Sequence, residues 1–137
     1  MASTIRVRAE IMDQMLQHAR SQPSAECCGL LAGHGGVINA IFPAVNTLAS
    51  PTAYEIAPRE LFALFRRMRE EHFEHLGIYH SHPAGENKPS ARDIEQAFYP
   101  ETAYFIISPK FDAPKAVRAF SIREGRAAEL ELVVATL

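Results

Sequence analysis

Gly77-Ile-Tyr-His80-Ser-His82-Pro83-Ala-Gly-Glu-Asn-Lys-Pro-Ser90-Ala-Arg-Asp93 is the run from which the rest of the chain can be read. Leu76 to Tyr79 is short, apolar and partly β-branched, which predicts a strand ending at the two histidines. Residues i and i+2 of a strand share a face, so His80 and His82 are expected to project into one space. Pro83 removes a backbone donor and stops the ladder. Pro89-Ser90 has the chemistry of a helix entry, with Ser90 able to cap a short helix over Ala91 to Phe98. Asp93 then lies in its first turn, facing back toward the histidines. Two His and one Asp make three ligands, one short of a tetrahedron, and a catalytic zinc site leaves that fourth position to water. The same letters have a plainer reading. Surface His-x-His pairs are common, and Ser90-Ala-Arg-Asp93 is an ordinary capping box in which the Asp returns to the cap.

The spacing His80-x-His82, seven residues, Ser90, two residues, Asp93 resembles the motif of the JAMM (MPN+) metallopeptidases. That family also carries a Glu upstream, and Glu26-Cys-Cys-Gly-Leu-Leu-Ala-Gly33 is similar to its bacterial and archaeal form. The likeness runs from about Ile5 to about Ser108. It implies an MPN fold, also called cytidine-deaminase-like, of α/β (α+β) class: a curved, mostly antiparallel sheet with helices packed on its faces. It implies Zn2+ held by His80, His82 and Asp93, with Glu26 as general base toward the zinc-bound water. It further implies that Ser90 donates a hydrogen bond to the oxyanion. The family cuts peptide or isopeptide bonds at the C-terminal tail of ubiquitin-like proteins. Compact bacterial members trim sulfur carriers of the ThiS/MoaD type. A partner of that kind, with a Gly-Gly tail, is the expectation here, the side-chain-free tail lying against a sheet edge by β-addition. Two alternatives stand beside it: an isopeptidase on ubiquitin-like conjugates, and a zinc-binding interaction module without turnover. A RadC-type relative shares part of the motif, but the chain has no basic patch, and its Glu26-Cys-Cys-Gly-Leu-Leu segment departs from that type.

The bulk properties agree with such an enzyme and exclude other classes. The 137 residues suit a single domain, 1–137, able to bury a core without staples. Net charge is −2 and the basic residues are scattered, which argues against nucleic acid as a main partner. No apolar run approaches the ~20 residues of a membrane span, and the N-terminal residues lack the apolar core of a secretory signal. The expected location is the cytoplasm. Cys27 and Cys28 are adjacent, where a bridge is strained, so reduced thiols are expected, at least one of them buried. A ligand or catalytic thiol beside Glu26 is the competing reading.

Working outward, Thr4 to Ala9 alternates as a half-buried strand, and Ile11, Met12, Met15, Leu16 and Ala19 mark an amphipathic helix. Strands are expected over Cys27 to Gly33 and Val37 to Val45, turning at Gly35-Gly36, with Glu26 opening the first. A third short strand is expected over Ala53 to Ala57. A second amphipathic helix runs from Pro58 to about His72, its arginines and glutamates on the solvated side. Ala103 to Ser108 reads as a buried strand, and Lys115 to Arg123 with Arg126 to Val134 as a hairpin around Glu124-Gly125. Ser81 falls on the strand face opposite the histidines and reads as structural. Asn87 and Lys88 stand in the motif loop within reach of a substrate, while His18, His34, His72 and His75 have no spacing that joins the cluster.

Overall fold

The computed structural model of the chain describes residues 3–110 and 115–135. In chain order the elements are β1 (Thr4–Arg8), α1 (Ala9–Ser21), β2 (Cys28–His34), β3 (Val37–Ala44), α2 (Pro58–Glu70), β4 (Glu74–Ser81), α3 (Ala91–Glu95), β5 (Ala103–Ile107), β6 (Val117–Arg123) and β7 (Arg126–Ala135). The seven strands close into a ring in the order β1-β3-β2-β4-β5-β6-β7, with β1 pairing back onto β7. Four neighbour pairs are antiparallel, and β1–β3, β1–β7 and β4–β5 are parallel, so the sheet is mixed and curved.

The helices follow from their apolar spacing. Ile11, Met15 and Ala19 repeat every four residues along one side of α1 and are buried. They meet Val7, Leu31, Tyr79 and Phe105 in a core that fills one face of the sheet. Pro58 opens α2, where its missing N–H costs nothing. Met68, Leu61, Leu64 and Phe65 of α2 cover the other face, over Leu30, Ile78 and Ile106. The outer side of α2 carries the solvated pairs Arg66–Glu70 and Arg67–Glu71. Gly35 and Gly36 have φ of 59° and 78°, the left-handed pair that a two-residue hairpin between β2 and β3 requires.

Two expectations are corrected. Ala53 to Ala57 is not a strand: only an isolated bridge, Asn46 to Ile56, forms there. The carbonyl of Ala53 and the N–H of Glu55 are taken by the Asn46 side chain, so no ladder can grow. The short helix α3 stops at Glu95, not Phe98, because the following N–H groups leave the helical ladder: those of Ala97 and Phe98 donate to the Ile94 and Gln96 carbonyls, and that of Tyr99 to the Tyr104 hydroxyl. At the histidines β4 is flanked by β2 on one side and β5 on the other. The strand-free edge nearest that end belongs to β3, which pairs with β1 only at Val37 and Ile38.

Candidate functional site

His80 is held in the sheet opposite Cys28 of β2 and Ile106 of β5. His82 lies just beyond the end of β4, but its N–H still donates to the Ile107 carbonyl at 2.9 Å, so the strand geometry continues through it. Both rings therefore project from one face, with centroids 4.9 Å apart. Asp93 arrives from α3 through the capping box. The Ser90 N–H donates to Asp93 Oδ2 at 2.9 Å, and Ser90 Oγ accepts from the Asp93 N–H at 3.0 Å. The capping-box reading of Ser90-Ala-Arg-Asp93 is borne out, and the same contacts orient the carboxylate toward the histidines.

His80 Nε2, His82 Nε2 and Asp93 Oδ2 form a nearly equilateral triangle with sides of 3.1, 3.0 and 3.2 Å. Ligand bonds of about 2.0–2.1 Å to a tetrahedral zinc imply edges of about 3.3 Å, so the triangle fits one small divalent ion. The donor chemistry fits too. His82 Nδ1 lies 2.7 Å from the Glu86 carbonyl, which only an N–H at Nδ1 can satisfy in a neutral ring. That leaves the Nε2 lone pair turned into the triangle, as metal-ligating histidines require. Glu26 is 3% exposed, and its carboxylate lies within 4.8 Å of both histidine donor atoms. Its Oε1 is buried without a hydrogen-bond partner, an orphaned acceptor aimed at the same space.

The electrostatics follow from this packing. Burial pushes the Glu26 carboxyl up to about 7, with Asp93 adding to the rise and His82 and Arg92 opposing it. Burial also raises the cost of charging Asp93, but the facing His80 and His82 rings and the Ser90 N–H outweigh it and hold that carboxyl well below the usual range. His80 is pulled down, chiefly by its burial. His82 is buried as well, yet its bonds to Asp93 and Glu86 carry it up. One carboxylate stays ionised in the triangle, and its neighbour titrates near neutrality.

Ser81 is buried on the opposite face, as expected, and it acts on the site from there. Its Oγ accepts from the Cys27 N–H at 2.9 Å, and its own N–H donates to the Cys27 carbonyl at 3.1 Å. The residue between the histidines thereby ties down the residue after Glu26. Ser81→Ala orphans a buried N–H and is expected to cost about 1–3 kcal/mol, read as a lower urea midpoint at unchanged slope. Cys27 and Cys28 are both buried free thiols, and burial raises them to about 11 and about 12, which makes them packing residues.

Other expectations resolve plainly. Ser90 is exposed beside Asp93, and as its Oγ accepts the cap bond the hydroxyl proton remains free to donate. Asn87 donates to the Lys115 and Ala116 carbonyls, and the exposed Lys88 pairs with Glu86. His18 bonds the Tyr79 hydroxyl, and His75 packs against Phe65 and Tyr99, away from the triangle. Sequence reading missed Tyr54, whose ring stacks on His80 at 4.7 Å and 28°. No spacing links Tyr54 to the motif; an aromatic residue in a polar loop was the only signal. Tyr54 also lines a cleft of about 210 Å³ that runs past Ile56, Leu61 and Tyr99 to Asp93 and Arg92.

Comparison with known proteins places the chain among relatives of the same fold. Residues 8–123 match the family described as prokaryotic homologs of the JAB domain. The desampylase of Haloferax volcanii is 36% identical over 115 residues, covering 79% of this chain and 83% of that protein. The CysO-cysteine peptidase of Mycobacterium tuberculosis is 32% identical over 125 residues, covering 90% and 86%. Among solved structures, protein DSY2949 of Desulfitobacterium hafniense superposes with a TM-score of 0.82 at 34% identity, covering 97% of this chain and 94% of its own. A structure described as a JAMM metalloprotease-like zinc site in the proteasome and signalosome shares the fold, with a TM-score of 0.61 at 18% identity and coverage of 95% and 98%.

Proposed function

This chain belongs to the family of prokaryotic homologs of the JAB domain, and from that membership we propose a specific reaction for it. The protein hydrolyses the peptide bond that follows the C-terminal Gly-Gly of a ubiquitin-like sulfur carrier of the ThiS/MoaD type. His80, His82 and Asp93 hold zinc, and Glu26 is the general base. The observation that carries the reading is the triangle of donors with an unpartnered buried carboxylate beside it.

Zinc in that position supplies a Lewis acid and brings the pKa of water to roughly 7. The protein does the rest. The Glu86 carbonyl fixes the His82 tautomer, and the capping box fixes Asp93. Glu26, buried beside the donor triangle with an unpartnered oxygen, takes a proton on its carboxylate and returns it to the leaving amine. Ser90 directs its free hydroxyl proton to the developing oxyanion, a bond worth about 3 kcal/mol of transition-state stabilisation. The apolar cleft beside Asp93 receives the extended tail that precedes the scissile bond. Its walls are mainly aromatic and aliphatic, with Glu55, Arg92 and Gln96 among them, which suits side chains upstream of the two glycines.

Asp93→Ala removes a ligand and half of the cap together. The expected result is loss of bound metal, with a stability loss of about 1 kcal/mol from the cap in the metal-free protein. Metal content by elemental analysis and thermal melting of the apo form check the two parts separately.

A second candidate substrate is a ubiquitin-like conjugate with an isopeptide bond, supported by similarity to a protein of Thermus thermophilus described as a probable TtuB-protein conjugate cleaving protease. A carrier extended linearly past Gly-Gly and the same carrier joined to a lysine side chain distinguish the two. The proposal expects faster cleavage of the linear form, abolished by a chelator. Preferential cleavage of the lysine-linked form would transfer the function to conjugate removal, and cleavage of neither would sink both.

A further inference from the structure

Glu26 stands two residues before β2 begins, so its own peptide groups have no strand partner. The loop between β3 and α2 provides both. The Glu26 N–H donates to the Ser50 carbonyl at 2.9 Å. The Glu26 carbonyl accepts from Asn46 Nδ2 at 3.0 Å. The same Nδ2 donates to the Ala53 carbonyl at 3.0 Å, and Asn46 Oδ1 accepts from the N–H groups of Leu48 and Glu55, each at 3.1 Å. A side-chain amide offers two donors and two lone pairs, and here all four are used. Ala53 and Glu55 flank Tyr54, the ring stacked on His80. A single amide therefore joins the backbone of Glu26 to the backbone on both sides of Tyr54.

From this juxtaposition we infer that Asn46 is a positioning residue for the reaction. It sets the Glu26 carboxylate against the donor triangle and holds Tyr54 on His80. The inference rests on the reading that Glu26 moves the proton. Its physical basis is the isolation of the carboxylate. Glu26 Oε1 has no hydrogen bond to aim it, so its direction is set by where the backbone stands. Ser81 pins that backbone from one side through Cys27, and Asn46 pins it from the other. An error of about 1 Å in such a group is enough to cost on the order of a hundredfold in rate.

Asn46→Asp is the informative change. It keeps the shape and an acceptor for Leu48 and Glu55, and replaces the two donors with lone pairs facing the Glu26 and Ala53 carbonyls. Asn46→Ser, smaller and free of that repulsion, serves if the Asp variant does not fold. Two readouts are made. In metal-free protein, hydrogen exchange at the Glu26 amide is expected to quicken about tenfold or more, as the loop that carries its Ser50 acceptor loses its tie to the Glu26 carbonyl, with the Ile78 and Tyr79 amides of β4 unchanged. In metal-loaded protein acting on the extended carrier, kcat per bound metal is expected to fall about 10–100-fold while KM stays within about twofold. A residue that only stabilised the fold would lower the melting temperature and leave kcat per bound metal intact. Unchanged exchange at Glu26, or unchanged kcat per bound metal, overturns the inference. Wild-type protein that fails to cut the carrier counts against the proposed substrate instead, and the exchange experiment then decides the role of Asn46 by itself.

Discussion

Glu26→Gln is expected to bind metal as the wild type does and to lose turnover by about a thousandfold, the middle of the range for a general acid–base group. The replacement is nearly isosteric, which matters at a position only 3% exposed. The three donors at 3.0–3.2 Å from one another are untouched, so metal content has no reason to change. The lost element is a carboxylate that titrates near 7 within 4.8 Å of the histidine donor atoms. Stability provides an independent sign. Burial raises this carboxyl from 4.5 to about 7, so the folded state prefers its neutral form. In metal-free protein the penalty for ionising it is absent below about pH 4.5, grows between there and about 7, and is then complete. The shift corresponds to roughly 3 kcal/mol as an upper bound. Metal-free Glu26→Gln should therefore be more stable than wild type at pH 8 and equal to it at pH 4, by urea denaturation at both. A metal-free variant, or one with full turnover, would remove Glu26 from the role assigned to it.

Gly29→Ala is expected to be severely damaging, costing about 3–5 kcal/mol. A Cβ at Gly29 would lie 2.5 Å from Tyr79 Cε1 and 2.6 Å from the Phe42 carbonyl oxygen. Neither can give way cheaply. Tyr79 is fully buried and its hydroxyl is tied to His18 at 2.7 Å. The Phe42 oxygen belongs to the backbone of β3, paired with β2. Relief requires β2 to separate from β3 or the Tyr79 ring to leave the core. Either movement displaces the strands that carry His80 and lead to Glu26, so metal affinity should fall with stability. Denaturant midpoints together with metal titration test this. A variant within 0.5 kcal/mol of wild type would mean that the β2–β3–β4 packing is far more yielding than its contacts indicate.

The sequence made the local elements and the donor set legible, and the reasons are physical. Ile11, Met15 and Ala19 announce α1 because a helix repeats every 3.6 residues. Gly35-Gly36 announces a hairpin because two positive φ angles are needed there. His80, His82 and Asp93 are legible because each comes from a short stretch with its own rule: strand alternation for the first two and a capping box for the third. The role of Gly29 in Glu26-Cys-Cys-Gly becomes clear only with Tyr79 lying across it.

What sequence reading missed depends on partners far apart in the chain. Closure of the ring pairs Thr4 with Glu131, and the β4–β5 pairing is parallel, and neither leaves a mark in periodicity. Ala53 to Ala57 has the composition of a strand, yet the Asn46 amide takes the very groups a ladder would use. Tyr54 reaches His80 across 26 positions, and Asn46 reaches Glu26 across 20, with no pattern between them. The donors follow local rules, while the residues that hold and cover them are set by tertiary packing.

The central claim is that a metal held by three side chains, together with Glu26, cuts a carrier behind its Gly-Gly. The most direct measurement is the intact mass of a ThiS/MoaD-like carrier, extended past Gly-Gly, during incubation with zinc-loaded protein. Chelator-treated protein and the Glu26→Gln variant run beside it. The account predicts a mass loss equal to the extension in the first sample and none in the other two. An unchanged carrier in all three, or equal cleavage by the Glu26→Gln variant, would contradict it.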